Sequence, residues 1–173
     1  MVITLATEED LPLVWGLLDD AARWIAARGI NQWPVPFPHE IVETSLGRRD
    51  TCLARDSTEV VGTLAVYWDD PLFWGEQPAD AGYVHRLAVA RHRTGEGLGE
   101  LLLDWAAQHV REAGRSWLRL DTGADNAKLR RFYEGRGFVH RGDRQVHVRG
   151  AGGDGQAWHA SLYERSILSD ERL

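Results

Sequence analysis

The sequence predicts one mixed α/β domain in which strands and helices alternate along the chain. Three observations predict it. Stretches whose apolar residues recur at helical spacing are interleaved with short strand-type runs rich in β-branched and aromatic residues. The chain has 173 residues, the size of one domain with a substantial core. No repeat, linker or low-complexity stretch divides it, so residues 1–173 are expected to form a single interleaved domain.

Val2 to Ala6 reads as a short strand, and Thr7-Glu8-Glu9-Asp10 follows as a helix start, a hydroxyl cap with a carboxylate three residues on. Leu11, Val14, Leu18, Ala21 and Ile25 repeat at helical spacing until Gly29. Residues 31–38 hold three prolines and predict a loop, with a shorter helix from His39 to Arg48. Thr51 to Arg55 and Glu59 to Trp68 read as two strands around a turn at Asp56-Ser57-Thr58. Asp69 to Ala81, with Pro71 and Pro78, predicts a loop, and the apolar run Gly82 to Ala90 a buried strand. From Leu98 the positions Leu101, Leu102, Trp105, Ala106 and Val110 predict one helical face ended by Gly114. A strand over 117–121, a helix over 126–136 and a strand from Phe138 follow. The glycine-rich run at 150–155 then turns into a last strand over 157–165.

Composition narrows the partners. Hydrophobic residues make up 43% and charged residues 27%, with a net charge of −6, so no attraction to nucleic acid or to an anionic membrane is expected. One cysteine, Cys52, rules out an internal disulfide. The N-terminus lacks the basic and apolar regions of a secretory signal, and no apolar run suffices to span a bilayer, which together predict a cytoplasmic protein. The seven histidines show no metal-binding spacing, so no metal is expected.

The chemistry-bearing segment is Leu87-Ala88-Val89, then Arg91 to Thr94, then Gly95-Glu96-Gly97-Leu98-Gly99, then an amphipathic helix. Alternate glycines at a strand-to-helix turn let the backbone approach a ligand and aim free N–H groups at one point, where the positive end of the helix dipole adds to them. In physical terms this is a diphosphate cradle, or else a glycine-rich turn without a ligand. The G-x-G-x-G spacing in mid-chain fits neither a dinucleotide fingerprint nor a nucleotide-triphosphate loop.

The sequence LAV…GEGLGELLLDWA, then GRSWLRLDTGADN, then LRRFYEGRGF resembles the core motifs of the GNAT acetyltransferases from about Gly82 to Phe138. Asn126, Tyr133, Gly137 and Phe138 reproduce the family pattern N-x6-Y-x3-G-F. The resemblance implies a central, mostly antiparallel mixed sheet of about six to seven strands, splayed between the fourth and fifth and flanked by about four helices. It also implies acetyl-CoA as cosubstrate. Backbone groups of Leu87, Ala88 and Val89 would pair with the pantetheine arm, amides from Thr94 through Gly95, Glu96, Gly97, Leu98 and Gly99 would hold the diphosphate, and Asn126 would contact the arm. One departure is Thr94, which stands where the family carries Arg or Gln. The missing phosphate contact then falls to the Thr94 hydroxyl, to Arg91 or to Arg93.

Transfer of acetyl to an amine needs a proton acceptor, an oxyanion donor and an acid for the leaving thiolate. The family places the tyrosine matching Tyr133 beside the cofactor sulfur, so Tyr133 is the candidate acid and the Val89 amide the candidate oxyanion donor. His85, in H-x-L-A-V, is the candidate base or relay, the alternative being a structural histidine. Tyr83 shares its strand face. For the acceptor, Trp33, Trp68 and Trp74 are candidate pocket walls, and Asp69, in the acidic loop with Asp70, Glu76 and Asp80, a candidate attractor of a cationic amine. The expected activity is acetyl transfer to a primary amine of a small molecule by direct attack in a ternary complex, in a monomer or homodimer. A protein N-terminus or a lysine remains an alternative acceptor, and a silent acyl-CoA-binding module an alternative role.

Overall fold

A computed structural model describes residues 1–30, 32–147 and 157–168. The strands are β1 (Val2–Leu5), β2 (Thr51–Asp56), β3 (Glu59–Tyr67), β4 (Ala81–Val89), β5 (Trp117–Gly123), β6 (Val139–His147) and β7 (Ala157–Ser166). The helices are α1 (Leu11–Ala26), α2 (His39–Gly47), α3 (Pro71–Trp74), α4 (Leu98–Glu112) and α5 (Ala127–Glu134). The seven strands form a mixed sheet in the order β1-β2-β3-β4-β5-β7-β6, the mixed α/β architecture expected. No helix among the described residues is long and apolar enough to cross a membrane. The chain forms two compact units, each built from non-consecutive segments.

The first unit comprises Met1–Ala65 and Arg86–Leu102, together with His147. Strand β2 pairs antiparallel with β1 and with β3. The expected capping box forms on a 3-10 turn, Glu8–Asp10, that leads into α1: the Asp10 carboxylate accepts from Thr7 N at 2.9 Å and from Thr7 Oγ1 at 3.2 Å. Val14, Leu18, Ala21 and Ala22 of α1, Val42 and Leu46 of α2, and Leu53 of β2 form the core here. Each fully buried Leu or Val contributes roughly 1.5–3 kcal/mol. Asp19, buried on α1, accepts from Phe37 N at 2.9 Å and Arg23 Nε at 2.7 Å, which ties down the proline-rich loop.

The second unit comprises Val66–His85, Leu103–Val146 and residues 157–168. Strand β5 pairs antiparallel with β7 and parallel with β4. The parallel register runs from Ala81↔Trp117 to Val84↔Leu120, although both strands continue beyond it. That early end is the parting expected between the fourth and fifth strands. Two residues on, Arg86 takes a left-handed φ of 54°, rare for a residue with a side chain. Gly82 is required for packing, since a Cβ there would lie 2.2 Å from Val110 Cγ2. Arg119, 5% exposed, donates to Glu164 Oε2 at 2.7 Å, to the Tyr83 hydroxyl at 3.0 Å and to Asp80 Oδ1 at 3.3 Å.

Two expectations are corrected. Asp69 to Ala81 is not all loop, because Pro71 begins the single helical turn α3 with Asp70 at its N-cap. Proline lacks only an N–H that the first helical turn leaves unpaired anyway. On α4 the buried seam is Leu98, Leu102, Ala106 and Val110 with Leu103 and Ala107, whereas Leu101 is 46% exposed. A run of three leucines leaves the phase of a helical face undetermined. The glycine-rich run at 150–155 lies outside the described residues.

Candidate functional site

In the first unit, β4 ends at Val89, a 3-10 turn spans Arg91–Arg93, and α4 starts at Leu98. Ala88 belongs to the core cluster, so Leu87 and Val89, both half-buried, alternate to the opposite face of the strand. Gly95 and Gly97 have φ of 94° and 77°, and a Cβ built on either meets nothing within 4 Å. The turn is open as well as left-handed. Among the described residues, the amides of Gly95, Gly97, Leu98 and Gly99 take no backbone acceptor. These are the orphan donors of a helix start, and they suit a diphosphate.

The side chains around this turn differ in what they leave to a phosphate. The Thr94 hydroxyl donates to Arg91 O at 2.9 Å, which uses its one hydrogen. Arg93 donates to Asp56 Oδ2 at 2.9 Å, Glu59 Oε2 at 2.9 Å and Glu96 Oε2 at 2.7 Å. Asp56 first, then Glu96 and Glu59, hold its guanidinium in the charged form. Arg93 therefore neutralises an acid inside the turn, Glu96, that would otherwise repel a phosphate. Arg91 forms no ion pair among the described residues. It stacks on Trp24 at 3.6 Å, Arg28 also stacks on Trp24 at 3.6 Å, and the Arg91 Nε is buried without a hydrogen bond.

In the second unit, Asn126 caps α5 by accepting from Leu129 N at 3.1 Å, so its Oδ1 is occupied and its NH2 group is the part left to donate. Tyr133 is buried between Phe132 and Phe138, with ring centroids at 5.4 and 5.7 Å. Its hydroxyl makes no hydrogen bond among the described residues. Burial first, and then the Asp121 carboxylate, push this phenol above its ordinary pKa. At neutral pH Tyr133 is a proton donor.

His85 lies one residue beyond the last paired rung of β4, and Asp121 one residue beyond the last rung of β5. His85 Nε2 is 3.2 Å from Asp70 Oδ2, yet the angle does not make a hydrogen bond and this nitrogen stays unsatisfied. One donor atom from each of Asp70, His85 and Asp121 lies within 4.8 Å of the other two. Removal from water pushes Asp121 up to about 6, His85 pulls it down and Asp70 adds to the rise. The Tyr67 ring lies 4.6 Å from the imidazole.

The proposed acceptor residues fall in both units. Trp33 packs on the first unit's core and meets Phe37 edge-on at 5.6 Å. Trp68 lies 5.7 Å from His109 and beneath Arg115. Trp74 and Tyr83 pack together at 6.1 Å, and the Tyr83 hydroxyl is occupied by Arg119. Asp69 is exposed, and its neighbour Asp70 is the acid that reaches His85. Asp121 was not singled out from the sequence, because its proximity to His85 follows from strand register alone. Cys52 is buried and its thiol is pushed up to about 12, which excludes it as a nucleophile.

Known proteins share this fold and family. The sequence model of the acetyltransferase (GNAT) family matches residues 18–138. The N-acetyltransferase YesJ of Bacillus subtilis strain 168, itself described as uncharacterized, is 28% identical over 95% of this chain and 89% of its own length. A GNAT-family acetyltransferase from Listeria monocytogenes superposes with a TM-score of 0.76 at 22% identity, covering 95% of this chain and 94% of that one. YncA from Salmonella typhimurium, solved with its cofactor acetyl-CoA, superposes at 0.71 and 15% identity, covering 96% and 94%. Motif, sheet order and the match over 18–138 converge, and the chain belongs to the GNAT family of acetyltransferases.

Proposed function

We propose that this acetyltransferase acetylates a primary amine of a small molecule by direct attack in a ternary complex. The observation that carries the reading is Tyr133, a buried phenol held protonated and without a hydrogen-bond partner among the described residues. Such a group has a proton ready for a departing thiolate.

The residues present fit acetyl-CoA, which supplies the acetyl group as a thioester. The open turn at Gly95 and Gly97 and the amides that follow, which take no backbone acceptor among the described residues, suit its diphosphate. Arg91 adds positive charge to the same segment, and the Asn126 NH2 is left to donate to the arm. The Val89 amide polarises the acetyl carbonyl. His85, whose Nε2 is unsatisfied, accepts a proton from the acceptor amine. Tyr133 protonates the departing sulfur.

Titration calorimetry with CoA and acetyl-CoA, followed by thiol release against an amine panel, tests the reading. Tyr133→Phe should lower kcat by roughly 10²–10⁴-fold with CoA affinity unchanged. Absence of heat with both cofactor forms on folded protein overturns it. Transfer to protein N-termini or lysines but to no small amine overturns the choice of acceptor.

A further inference from the structure

We infer that Asp70, His85 and Asp121 form the seat of the acceptor's ammonium group, so that the acceptor is a primary amine that arrives protonated. The inference rests on the acetyl-transfer reading above and deepens it, by naming the charge state of the acceptor and the side chains that hold it.

The three residues come from three elements. Asp70 is the N-cap of α3, His85 follows Val84 on β4, and Asp121 follows Leu120 on β5. With each donor atom within 4.8 Å of the others, one central atom reaches all three at about 2.8 Å or less, the length of a charge-assisted N–H···O bond. A primary ammonium has three N–H donors, one for each member.

The group lacks a cation of its own. The side chains of His85 and Asp70 are only 15% and 8% exposed. Neither Asp70 nor Asp121 pairs with an arginine or lysine among the described residues, and the Asp70 carboxylate makes no hydrogen bond there. Other buried acids are provided for differently: Asp19 pairs with Arg23, and Glu164 with Arg119. A buried carboxylate left unpaired is costly, and a positive ligand removes that cost. The Tyr67 ring beside His85 adds a π face that favours a cation.

The chemistry balances. The ammonium gives one proton to His85 Nε2, and the imidazolium so formed lies 3.2 Å from the Asp70 carboxylate. The freed nitrogen lone pair forms the C–N bond to the acetyl carbon, and the C–S bond breaks. Tyr133 gives its proton to sulfur and regains one from the second N–H lost by nitrogen. His85 returns its proton to solvent, so an ammonium and a thioester become an amide, a thiol and one released proton.

The test uses the full chain, free and CoA-loaded, with pentyl-, benzyl- and phenethylammonium as probes and the alcohols of the same shape as controls. The His85 ring nitrogens are followed by NMR, and dissociation constants are measured for Asp121→Asn, Asp70→Asn and the unmodified protein. At least one ammonium should shift the His85 signals while its alcohol does not. Each Asn variant should weaken that ammonium by tenfold or more and raise the acceptor KM, with CoA affinity unchanged. If Asp121→Asn unfolds, Asp70→Asn and His85→Gln carry the test. Equal response to the alcohols, unchanged affinity in the variants, no response to any ammonium, or micromolar Zn²⁺ binding that displaces the probe overturns the seat. If CoA gives heat and no ammonium binds, the seat falls and acetyl transfer stands. If ammonium binds and CoA does not, the acetyl-transfer reading falls.

Discussion

Replacing Gly97 by alanine separates a strained turn from a working cradle, provided Gly114 is replaced in parallel. The two glycines are matched: φ is 77° at Gly97 and 76° at Gly114, and a Cβ at either meets nothing within 4 Å. Neither substitution creates a clash, so the folding cost of each is the left-handed backbone alone, about 1–2 kcal/mol. For a chain of this size that lowers Tm by roughly 2–8 °C, equally in both variants. Their effects on CoA should differ. A methyl group at Gly97 stands where a diphosphate approaches the unbonded amides of 97–99, and each charge-assisted hydrogen bond lost costs about 1.5–3 kcal/mol. CoA affinity should therefore fall roughly tenfold to hundredfold in Gly97→Ala, whereas Gly114→Ala, at the end of α4, binds as before. Differential scanning calorimetry gives the first quantity and titration calorimetry the second. If Gly97→Ala binds CoA within twofold of Gly114→Ala while losing the same stability, the turn is a helix start without a ligand.

Further outcomes follow from the same geometry. Arg119→Met removes the guanidinium that donates to Glu164, leaving that carboxylate with Arg141 at 3.6 Å, and should cost up to about 3–5 kcal/mol in urea unfolding, with Glu164→Gln in the same chain recovering part of it. Arg93→Ala releases Glu96 inside the turn and should weaken CoA severalfold at low salt, the loss shrinking at high salt because it is electrostatic. The Asp121 carboxyl is held at about 6 against an ordinary 3.8, so the folded state binds that proton more tightly than the unfolded one. The stability this contributes is present below pH 4 and lost as pH rises through 6. Asp121→Asn should flatten that slope and unfold later at pH 7–8 by on the order of 2 kcal/mol, which urea midpoints across pH will show. Cys52 should resist iodoacetamide at pH 8 until the chain unfolds, because its thiol is buried and pushed up to about 12.

The parts legible in the sequence were those written in contiguous residues. The glycine turn at 95–99 and the helix that carries Tyr133 each depend on local spacing, and each is present in the fold. Periodicity alone could not phase α4, where Leu101, Leu102 and Leu103 offer three faces and packing selects the last two. Nor could composition separate Arg91 from Arg93 as the free cation. That choice depends on Asp56 and Glu59, brought to Arg93 by the β2–β3 hairpin more than thirty residues away in sequence. The acidic loop was legible as a class, but the choice of Asp69 over Asp70 was not, since the turn of α3 begun by Pro71 decides which of two adjacent acids faces His85. Asp121 is the clearest case. Its meeting with His85 is a matter of parallel register between two strands more than thirty residues apart, and no local signal encodes register.

The treatment of buried charge in this chain distinguishes structural acids from chemical ones. Three acids that serve the fold are each answered by an arginine: Asp19 by Arg23, Glu164 by Arg119 and Asp10 by Arg55. Arginine suits this task because it stays charged and binds carboxylates through a fixed planar fork. Among the described residues, Asp70 and Asp121 meet an imidazole and no arginine or lysine. A permanent cation there would close the group and raise stability, yet it would leave no vacant hydrogen-bond positions and nothing able to accept a proton. The want of a permanent cation among Asp70, His85 and Asp121 is therefore read as the place reserved for a ligand that brings its own charge, and the stability forgone at Asp121 is the cost of keeping that place open.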